Sequence, residues 1–405
     1  MYDRSSQTFA LFPGPARVWR GAGILAEQTG ELARLGAAGA NEVERLLVIG
    51  GNRSLDVVRA RLEPAWGSCR TELVWTTYGV DCTEAELTRL RTRATQVKAQ
   101  GIVGVGGGKA IDTAKLIGHQ LQLPVATIPT SAATCAAWTA LSNVYTTAGA
   151  FQYDVSLNRA PELLILDYDL LLDAPEVTLR AGIGDALAKW YEASVSSGNS
   201  EDAIAISAVQ QARIVRDLLL QQSAAAIREP GGTAWQQVVD ASVCLAGAIG
   251  GLGGAKCRTV AAHAVHNGLT HIPGHRAHLH GEKVAFGILV QLRLEEILQG
   301  SQLAATARKQ LLTFYDEIGL PTSLAEFHLD SDCLDSTHLD RHHADPDRAA
   351  EIATHLATVA RVACQPDSDI HHLPFPVSSE ALVVAAKTTR VPVASAVNRP
   401  ISLTY

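Results

Sequence analysis

The chain lacks the features that mark membrane, secreted and nucleic-acid-binding proteins. None of its apolar runs approaches the ~20 residues of a membrane span, and its first residues lack the basic-then-apolar pattern of a signal peptide. Lys and Arg form no stripe with interleaved aromatics, and the formal net charge is −7. We therefore expect neither a membrane nor nucleic acid among its partners.

Cysteine is also sparse. The chain has 7 cysteines, scattered and without a CxxC pair, which is typical of a reducing compartment and predicts a cytoplasmic protein. At ~100–200 residues per domain, the length predicts two or three domains. Apolar residues make up 47% and charged residues 19%, which excludes a disordered chain. Glycine is abundant, with 33 residues and no collagen-like period, so its placement carries information.

Short apolar runs alternate with helical patterns in the first part of the chain. Strands are predicted at 46–50, 72–77, 102–105, 124–128 and 163–167, and helices at 57–62, 83–100 and 110–120. This alternation predicts βαβ units and a parallel sheet. From Pro175 onward the chain is rich in Ala and Leu with helical periodicity. We predict an α/β domain over residues 1–170 and an all-α domain over 171–405, ending in a loose tail with Pro392 and Pro400.

A glycine cluster lies between a predicted strand and a predicted helix. Its sequence, GVGGGK over residues 104–109, lets backbone N–H groups approach a phosphate at a helix N-terminus. It is neither GxGxxG nor a P-loop, because Ala110 follows the lysine. An ordinary tight turn remains the alternative. Asp112 is either a site residue or an acid that complements the helix dipole.

Two segments carry candidate metal ligands. Asp185, Lys189 and Glu192 share one helix face by their spacing, and six of the 14 histidines fall within residues 263–280. One Asp and two His form a set suited to Zn²⁺ or Fe²⁺. The alternatives are a surface ion-pair face and structural histidines. A rival cluster has a more polar context, which favours a solvated loop; it comprises His338, Asp340, His342, His343 and Asp345.

Four segments together resemble one known family. GVGGGKAIDTAK (104–115), PTxxxT (129–134), GIGDALAKWYEA (182–193) and AAHAVHNGLT…HGEKVAFG (261–287) resemble the glycerol-dehydrogenase branch of the metal-dependent (iron-containing) alcohol dehydrogenases. The resemblance implies a dinucleotide-binding α/β domain, a helical domain, the architecture of dehydroquinate synthase and a homo-oligomer. It also implies that one divalent metal and a nicotinamide cofactor occupy a cleft between the domains.

The resemblance assigns residues to this site. The metal ligands, which also serve catalysis, would be Asp185, His263 and His280. The cofactor contacts would be Gly107, Gly108, Lys109, Asp112, Thr130, Thr134, Thr139, Leu141 and Tyr145.

Three departures from the family pattern bear on the ligands. The family's substrate-contacting Asp is replaced by Cys135, which removes a carboxylate that would repel an anionic substrate, and Trp138 would narrow the pocket. The Asp expected to hold the adenosine ribose is Gly51, and Arg53 follows nearby, which favours NADP(H) over NAD(H). Arg258, five residues before His263, is suited to grip a carboxylate. Each has a plain alternative: Cys135 as a small buried residue, Arg53 and Arg258 as surface residues.

Within the branch, four features look closest to the bacterial hydroxycarboxylate dehydrogenase A group, which reduces 2-oxo acids with NADPH: TCAAWT (134–139), GIGDALAKWYEA (182–193), the Arg before AAHAVHNGLT, and VAFGILVQ (284–291). The three departures agree with this resemblance. We therefore expect an oxidoreductase that interconverts 2-oxo and 2-hydroxy acids by metal-assisted hydride transfer, with His266 and Lys189 as candidate proton-relay groups. The alternatives are an NAD-dependent glycerol or polyol dehydrogenase, a dehydroquinate-synthase-like cyclase and a non-catalytic binding protein. The cyclase is disfavoured because residues 132–142 contain no Lys or Arg.

Overall fold

A parallel sheet forms the N-terminal part of the protein. The computed structural model describes residues 11–37, 41–67, 69–329 and 346–391. Within them, six strands pair in parallel in the order β1-β8-β5-β4-β2-β3. Their bounds are β1 Arg17–Gly21, β2 Arg45–Gly50, β3 Glu72–Thr77, β4 Gly101–Gly106, β5 Val125–Pro129 and β8 Leu163–Asp167. An antiparallel hairpin, β6 Leu141–Tyr145 and β7 Phe151–Ser156, lies outside this sheet.

Helices cover the sheet and form the rest of the molecule. In the sheet-containing part they are α1 Ile24–Glu27, α2 Thr29–Ala33, α3 Asn52–Trp66, α4 Glu84–Gln96, α5 Gly108–Leu121 and α6 Tyr168–Leu172. They continue as α7 Glu176–Ser197, α8 Ala203–Arg228, α9 Thr233–Asp240, α10 Ala246–Gly253, α11 Ala261–Leu269, α12 His280–Gln299, α13 Gln302–Ile318, α14 Pro346–Ala363 and α15 Ser379–Lys387. A single π-helical turn, Ala241–Leu245, joins α9 to α10. Among the described residues, no helix is both long and apolar enough to cross a bilayer.

The predicted fold class is confirmed. The strands β2, β4 and β8 are almost continuously apolar, and all their residues except Arg45 at the start of β2 are buried, as expected for a parallel sheet covered on both faces. Helix α4 begins where its sequence indicates, because the Thr83 hydroxyl caps it by accepting from the Glu86 amide. After β8 the described chain contains no further strand. The division into domains 1–170 and 171–405 stays a prediction. The predicted tail and the His338, His342 and His343 cluster with Asp340 and Asp345 lie outside the described residues.

The strand order places a crevice at the ends of β2 and β4. The chain leaves β2 toward β3 on one side, while β4 continues toward β5 on the other. Ligands of open α/β sheets bind outside the carboxyl ends of strands where the order reverses in this way. Gly50 at the end of β2 and Gly106 at the end of β4 therefore border the expected cofactor site.

Close backbone contact fixes α7 against α12. A Cβ added at Gly281 would lie 1.7 Å from the carbonyl oxygen of Ala181, and one at Gly184 would lie 2.5 Å from that of Gly281. Only glycine fits at such distances. The contact sets the spacing between the helix that carries Asp185 and the helix that begins with His280.

Candidate active site

A cavity of about 700 Å³ separates the glycine loop after β4 from α7, α11 and the start of α12. Most of the predicted site residues line it: Gly107, Gly108, Lys109, Asp112, Thr134, Cys135, Thr139, Leu141, Tyr145, Asp185, Arg258, His263 and His280. Gly51, Arg53, Thr130 and Trp138 are not part of this lining. Predicted site residues from segments that are far apart along the chain therefore line one cavity.

The three predicted metal ligands converge at one end of the cavity. The Nε2 atoms of His263 and His280 each lie 3.5 Å from Oδ1 of Asp185, and one donor atom from each residue falls within 4.8 Å of the others. Oδ1 of Asp185 is buried and has no hydrogen-bond partner. Donors about 2.0–2.2 Å from a tetrahedral ion lie roughly 3.4 Å apart, so these residues fit a divalent cation such as Zn²⁺ or Fe²⁺.

Glu192 supports His263 from the side away from the cavity. Its carboxylate lies 2.6 Å from Nδ1 of His263 and also accepts hydrogen bonds from the backbone N–H of Val260 (2.6 Å) and His263 (3.0 Å). In the neutral imidazole that a metal requires, this contact places the proton on Nδ1 and leaves the Nε2 lone pair facing Asp185. Helical spacing indicates that Glu192 shares a face with Asp185, but its partner becomes evident only when α11 packs against α7.

A second chain of hydrogen bonds orients His280. Its Nδ1 lies 2.9 Å from Nε2 of His266, and Nδ1 of His266 lies 2.9 Å from Oδ1 of Asn267. When Asn267 accepts from His266 and His266 accepts from His280, the Nε2 lone pair of His280 faces Asp185. His266 is thus placed behind a candidate ligand rather than beside the substrate space.

The electrostatics of the cluster follow from burial and close charges. Burial opposes the charge of Asp185, but Lys189, His263 and His280 outweigh it and hold the pKa of that carboxyl well below its usual range. Burial likewise opposes protonation of His263, yet Glu192 raises its pKa to about 9. Burial lowers the pKa of His280. The cluster is therefore rich in negative charge on the Asp185 and Glu192 side, which favours a cation.

The glycine loop has the form expected of a phosphate cradle. Gly107 is the N-cap of α5, so the first free N–H groups of this 14-residue helix open toward the cavity. A Cβ at Gly108 would lie 3.2 Å from Oγ1 of Thr134, which explains why a larger residue would crowd the loop. Gly106 has a φ of 136°, a backbone conformation that glycine accommodates. Thr130, which stays a predicted cofactor contact, lies outside the cavity lining and faces Ser54, with 3.1 Å between the hydroxyl oxygens.

Lys109 takes part in an ionic contact that the sequence does not reveal. Asp81, in the loop before α4, is buried and pairs with Lys109 and, at 2.6 Å, with Arg276. Arg276 belongs to the loop before α12, so Asp81 joins the glycine loop to the helical part. The Lys109 ammonium also lies 5.0 Å from the ring centroid of Tyr145.

Asp112 has a buried partner on its own helix. It lies 3.0 Å from the Lys115 ammonium and accepts a hydrogen bond from the Asn143 amide at 3.2 Å. Lys115 donates in turn to the carbonyl oxygens of Thr139 and Leu141. These contacts tie α5 to β6 and account for the positions of Thr139 and Leu141 in the cavity wall.

Cys135, Lys189 and Arg258 form the cavity wall near the metal residues. Burial raises the pKa of Cys135 to about 11, so its thiol is neutral. Lys189 Nζ lies 3.6 Å from Oδ1 of Asp185. Arg258 packs its stem on Gly250, where a Cβ would lie 2.7 Å from its Cγ, and its Nε is buried without a hydrogen-bond partner.

Trp138 and Arg53 both lie outside the lining of this cavity, in different places. The indole of Trp138 donates to the carbonyl oxygen of Pro13 at 2.8 Å and lines a separate cavity beside α8 and α9, so Trp138 does not narrow the cavity that holds Asp185. No local sequence pattern indicates that this ring turns toward the N-terminal segment. Arg53 is exposed in the first turn of α3, next to the N-cap Gly51 and at the crevice between β2 and β4.

Known proteins share both the sequence and the fold. Residues 15–168 match the family model described as iron-containing alcohol dehydrogenase. Over 367 residues the chain is 52% identical to an uncharacterized oxidoreductase of Synechocystis sp., which covers 91% of this chain and 89% of that protein. It is 36% identical over 353 residues to hydroxycarboxylate dehydrogenase A of Escherichia coli, covering 85% of this chain and 89% of that protein.

A solved structure agrees over nearly the whole length. The structure of a probable glycerol dehydrogenase from Sinorhizobium meliloti 1021 superposes with a TM-score of 0.78 at 28% identity, covering 96% of this chain and 100% of that one. Enzymes of this family act on CH–OH groups with a divalent metal and a nicotinamide cofactor. The chain belongs to the iron-containing alcohol dehydrogenase family and is an oxidoreductase.

Proposed function

We propose that the protein interconverts 2-oxo carboxylates and 2-hydroxy carboxylates by metal-assisted hydride transfer with NADP(H). The observation that carries this proposal is the charge of the cavity wall. Arg258 and Lys189 line it, and a neutral thiol, Cys135, stands where the resemblance implies a carboxylate. Aspartates also line the cavity (Asp112, Asp154, Asp185, Asp367 and Asp369). Beside Lys189 and Arg258, however, a carboxylate substrate would meet cations instead of the carboxylate that the resemblance implies at position 135. The identity to hydroxycarboxylate dehydrogenase A supports the same substrate class.

Asp185, His263 and His280 would hold the metal, and Glu192 and His266 would orient the two imidazoles. When bound there, a divalent cation supplies Lewis acidity toward the substrate's C2 oxygen. The nicotinamide cofactor, when bound, supplies or accepts the hydride. The chain's own residues hold substrate and cofactor in one cavity, which fixes their relative orientation and excludes bulk water.

The cofactor would lie along the crevice between the ends of β2 and β4. The free N–H groups at the start of α5, with Gly107, Gly108 and Lys109, suit its pyrophosphate. Arg53 would meet the 2′-phosphate of NADP(H), because its side chain is exposed and forms no ion pair with the described residues, while Gly51 offers no carboxylate to a ribose 2′-hydroxyl. We place the substrate and the cofactor in the cleft between the proposed domains, 1–170 and 171–405. We also propose that the protein is a homo-oligomer.

A substrate and cofactor panel tests this proposal. The zinc- or iron-loaded enzyme should reduce 2-oxobutyrate and 2-oxoglutarate with NADPH at a higher kcat/KM than it oxidises glycerol with NAD⁺. Greatest turnover of glycerol with NAD⁺ would contradict both the substrate class and the cofactor preference. That result would favour the second candidate, an NAD-dependent polyol dehydrogenase, which the similarity to a probable glycerol dehydrogenase supports.

A further inference from the structure

Lys189 is a buried cation whose hydrogen-bonding capacity is unused. Lys189 is 4% exposed and lines the cavity that contains the proposed metal ligands. Its ion-pair partner among the described residues is Asp185, and the Nζ–Oδ1 distance of 3.6 Å exceeds that of a hydrogen bond. An ammonium group carries three donors. None of them has a hydrogen-bond acceptor within the part of the chain that the structure describes.

The carboxylates near Lys189 are engaged by other groups. Glu192 is held by the imidazole of His263 and by two backbone amides. Oδ1 of Asp185 faces both histidine Nε2 atoms, so a divalent cation held there would draw on the same oxygen. The neighbouring thiol of Cys135 is neutral. In the loaded enzyme, Lys189 would therefore stand in the cavity without a counter-ion.

Arg258 differs from Lys189 in the carboxylate with which it pairs. Its Nη2 lies 4.0 Å from Oδ2 of Asp154, a half-exposed carboxylate on β7. The partner of Arg258 is thus a half-exposed carboxylate outside the set of candidate metal ligands, whereas the partner of Lys189 is the buried Asp185, whose Oδ1 a bound divalent cation would also use.

We propose that Lys189 binds the carboxylate of the substrate and thereby selects 2-oxo acids over neutral carbonyl compounds. The substrate's negative charge then supplies the counter-ion that the protein lacks at this position, and Arg258 approaches the same anion from the cavity wall. Charge-assisted hydrogen bonds of this kind are short and strong in a poorly solvated cavity. The inference rests on the proposed function, because it assumes that the substrate enters this cavity.

The kinetic test compares a matched pair of substrates in the Lys189→Gln variant. For 2-oxobutyrate the KM should rise roughly 10- to 100-fold, since a charged hydrogen bond is lost. For 1-hydroxybutan-2-one, a neutral analogue with CH₂OH in place of the carboxylate, the KM should stay within about 3-fold of the wild-type value. Lys309→Gln removes the same charge from an exposed position on α13 and should change neither KM.

An equilibrium test uses oxamate, an unreactive anion that resembles a 2-oxo acid, and its neutral analogue oxamide. Calorimetry on the zinc- and NADP⁺-loaded protein should show that Lys189→Gln weakens oxamate binding by the same factor as the KM rises and leaves oxamide unaffected. Zinc affinity of the variant should increase, because a cation near Asp185 has been removed. A second variant, Cys135→Asp, keeps Lys189 but places a carboxylate counter-ion near its ammonium group. This variant should also weaken oxamate binding.

Several outcomes would overturn the inference. Unchanged KM and oxamate affinity in Lys189→Gln would show that the lysine does not bind the anion. An equal fall in kcat for the charged and neutral substrates, with both KM values unchanged, would make Lys189 a proton donor instead. If the wild-type enzyme binds oxamate through Lys189 but reduces no 2-oxo acid, the proposed function fails and the anion site stands. If the wild type does not bind oxamate, the inference fails.

Discussion

The carboxylate of Glu192 lies 2.6 Å from Nδ1 of His263, and its other oxygen accepts hydrogen bonds from two backbone amides at the start of α11. One fully buried side chain thus sets both the tautomer of a candidate metal ligand and the position of the helix that carries it. Carboxylate–histidine contacts of this type raise the basicity of a metal ligand and restrict its orientation.

Replacing Glu192 with Gln should therefore weaken metal binding. The amide nitrogen would face Nδ1 of His263 and force the imidazole proton onto Nε2, the atom directed at Asp185. We expect zinc affinity to fall roughly 10- to 100-fold, measured by competition with a chelator. Glu176→Gln, an exposed change on the same helix, is the control and should bind zinc as the wild type does. Equal zinc affinity in both variants would show that Glu192 does not support the metal site.

The close approach of α7 and α12 should make Gly281 intolerant of any side chain. In Gly281→Ala the new Cβ would lie 1.7 Å from the carbonyl oxygen of Ala181, so the two helices must separate. We expect a loss of at least about 2 kcal/mol in the free energy of unfolding and a weaker metal site, because His280 starts α12. Denaturant unfolding and metal titration measure these effects. Gly67→Ala, where nothing lies within 4 Å of the added Cβ, should be nearly neutral.

The cofactor preference should depend on Arg53 and Gly51. Arg53→Gln should lower kcat/KM for NADPH roughly 10-fold and leave that for NADH unchanged, because one charged contact to the 2′-phosphate is lost. Gly51→Asp should shift the preference toward NADH. The position accommodates a side chain, since its backbone is extended and an added Cβ would lie 3.6 Å from the Tyr78 ring. Equal effects on kcat/KM for both cofactors would show that neither residue distinguishes the 2′-phosphate of NADPH from the 2′-hydroxyl of NADH.

Stability should depend on pH through Glu295. Burial raises the pKa of this carboxyl from 4.5 to about 7, although a hydrogen bond from Gln291 opposes the shift. Between these values the folded state binds more protons than the unfolded state, so the stability due to this group is complete below pH 4.5 and is lost as pH rises through 7.

Glu295→Gln removes this ionisation, so we expect the variant to gain stability relative to the wild type as pH rises from 5 to 8. The gain should be on the order of 2 kcal/mol, since the carboxyl group retains some contact with solvent. Urea unfolding of the metal-free protein at each pH measures it. Glu317→Gln, an exposed change on α13, is the control. A stability difference that stays constant with pH would contradict the assignment.

Sequence reasoning recovers much of this architecture because the signals are local. The apolar runs of β2, β4 and β8 lie within single strands, and the glycine loop and the Asp185 segment are each continuous motifs. Other features depend on contacts between distant elements, so no local pattern reveals them. The Glu192–His263 contact spans 71 positions, and Asp81 meets Arg276 from another part of the fold. The exposed β7 and the edge strand β1 have mixed polar sequences, so no apolar run marks either strand.

Trp138 illustrates the same limit in the site itself. Its position beside Thr134 and Cys135 predicts a place in the substrate pocket, but the direction of its ring depends on Pro13 and on the space left by Gly247. A Cβ at Gly247 would lie 2.6 Å from the indole. Such complementarity between distant residues is a property of packing, and it can be recognised only in three dimensions.

The most direct test follows a labelled hydride through the reaction. NADPH carrying deuterium at the transferable C4 position is incubated with 2-oxobutyrate and either metal-free or zinc-reconstituted enzyme, and the product is analysed by mass spectrometry. We expect 2-hydroxybutyrate with one deuterium at C2, formed by the reconstituted enzyme and not by the metal-free enzyme or the Asp185→Asn variant. Product without deuterium, or equal rates with and without metal, would contradict metal-assisted hydride transfer to a 2-oxo acid.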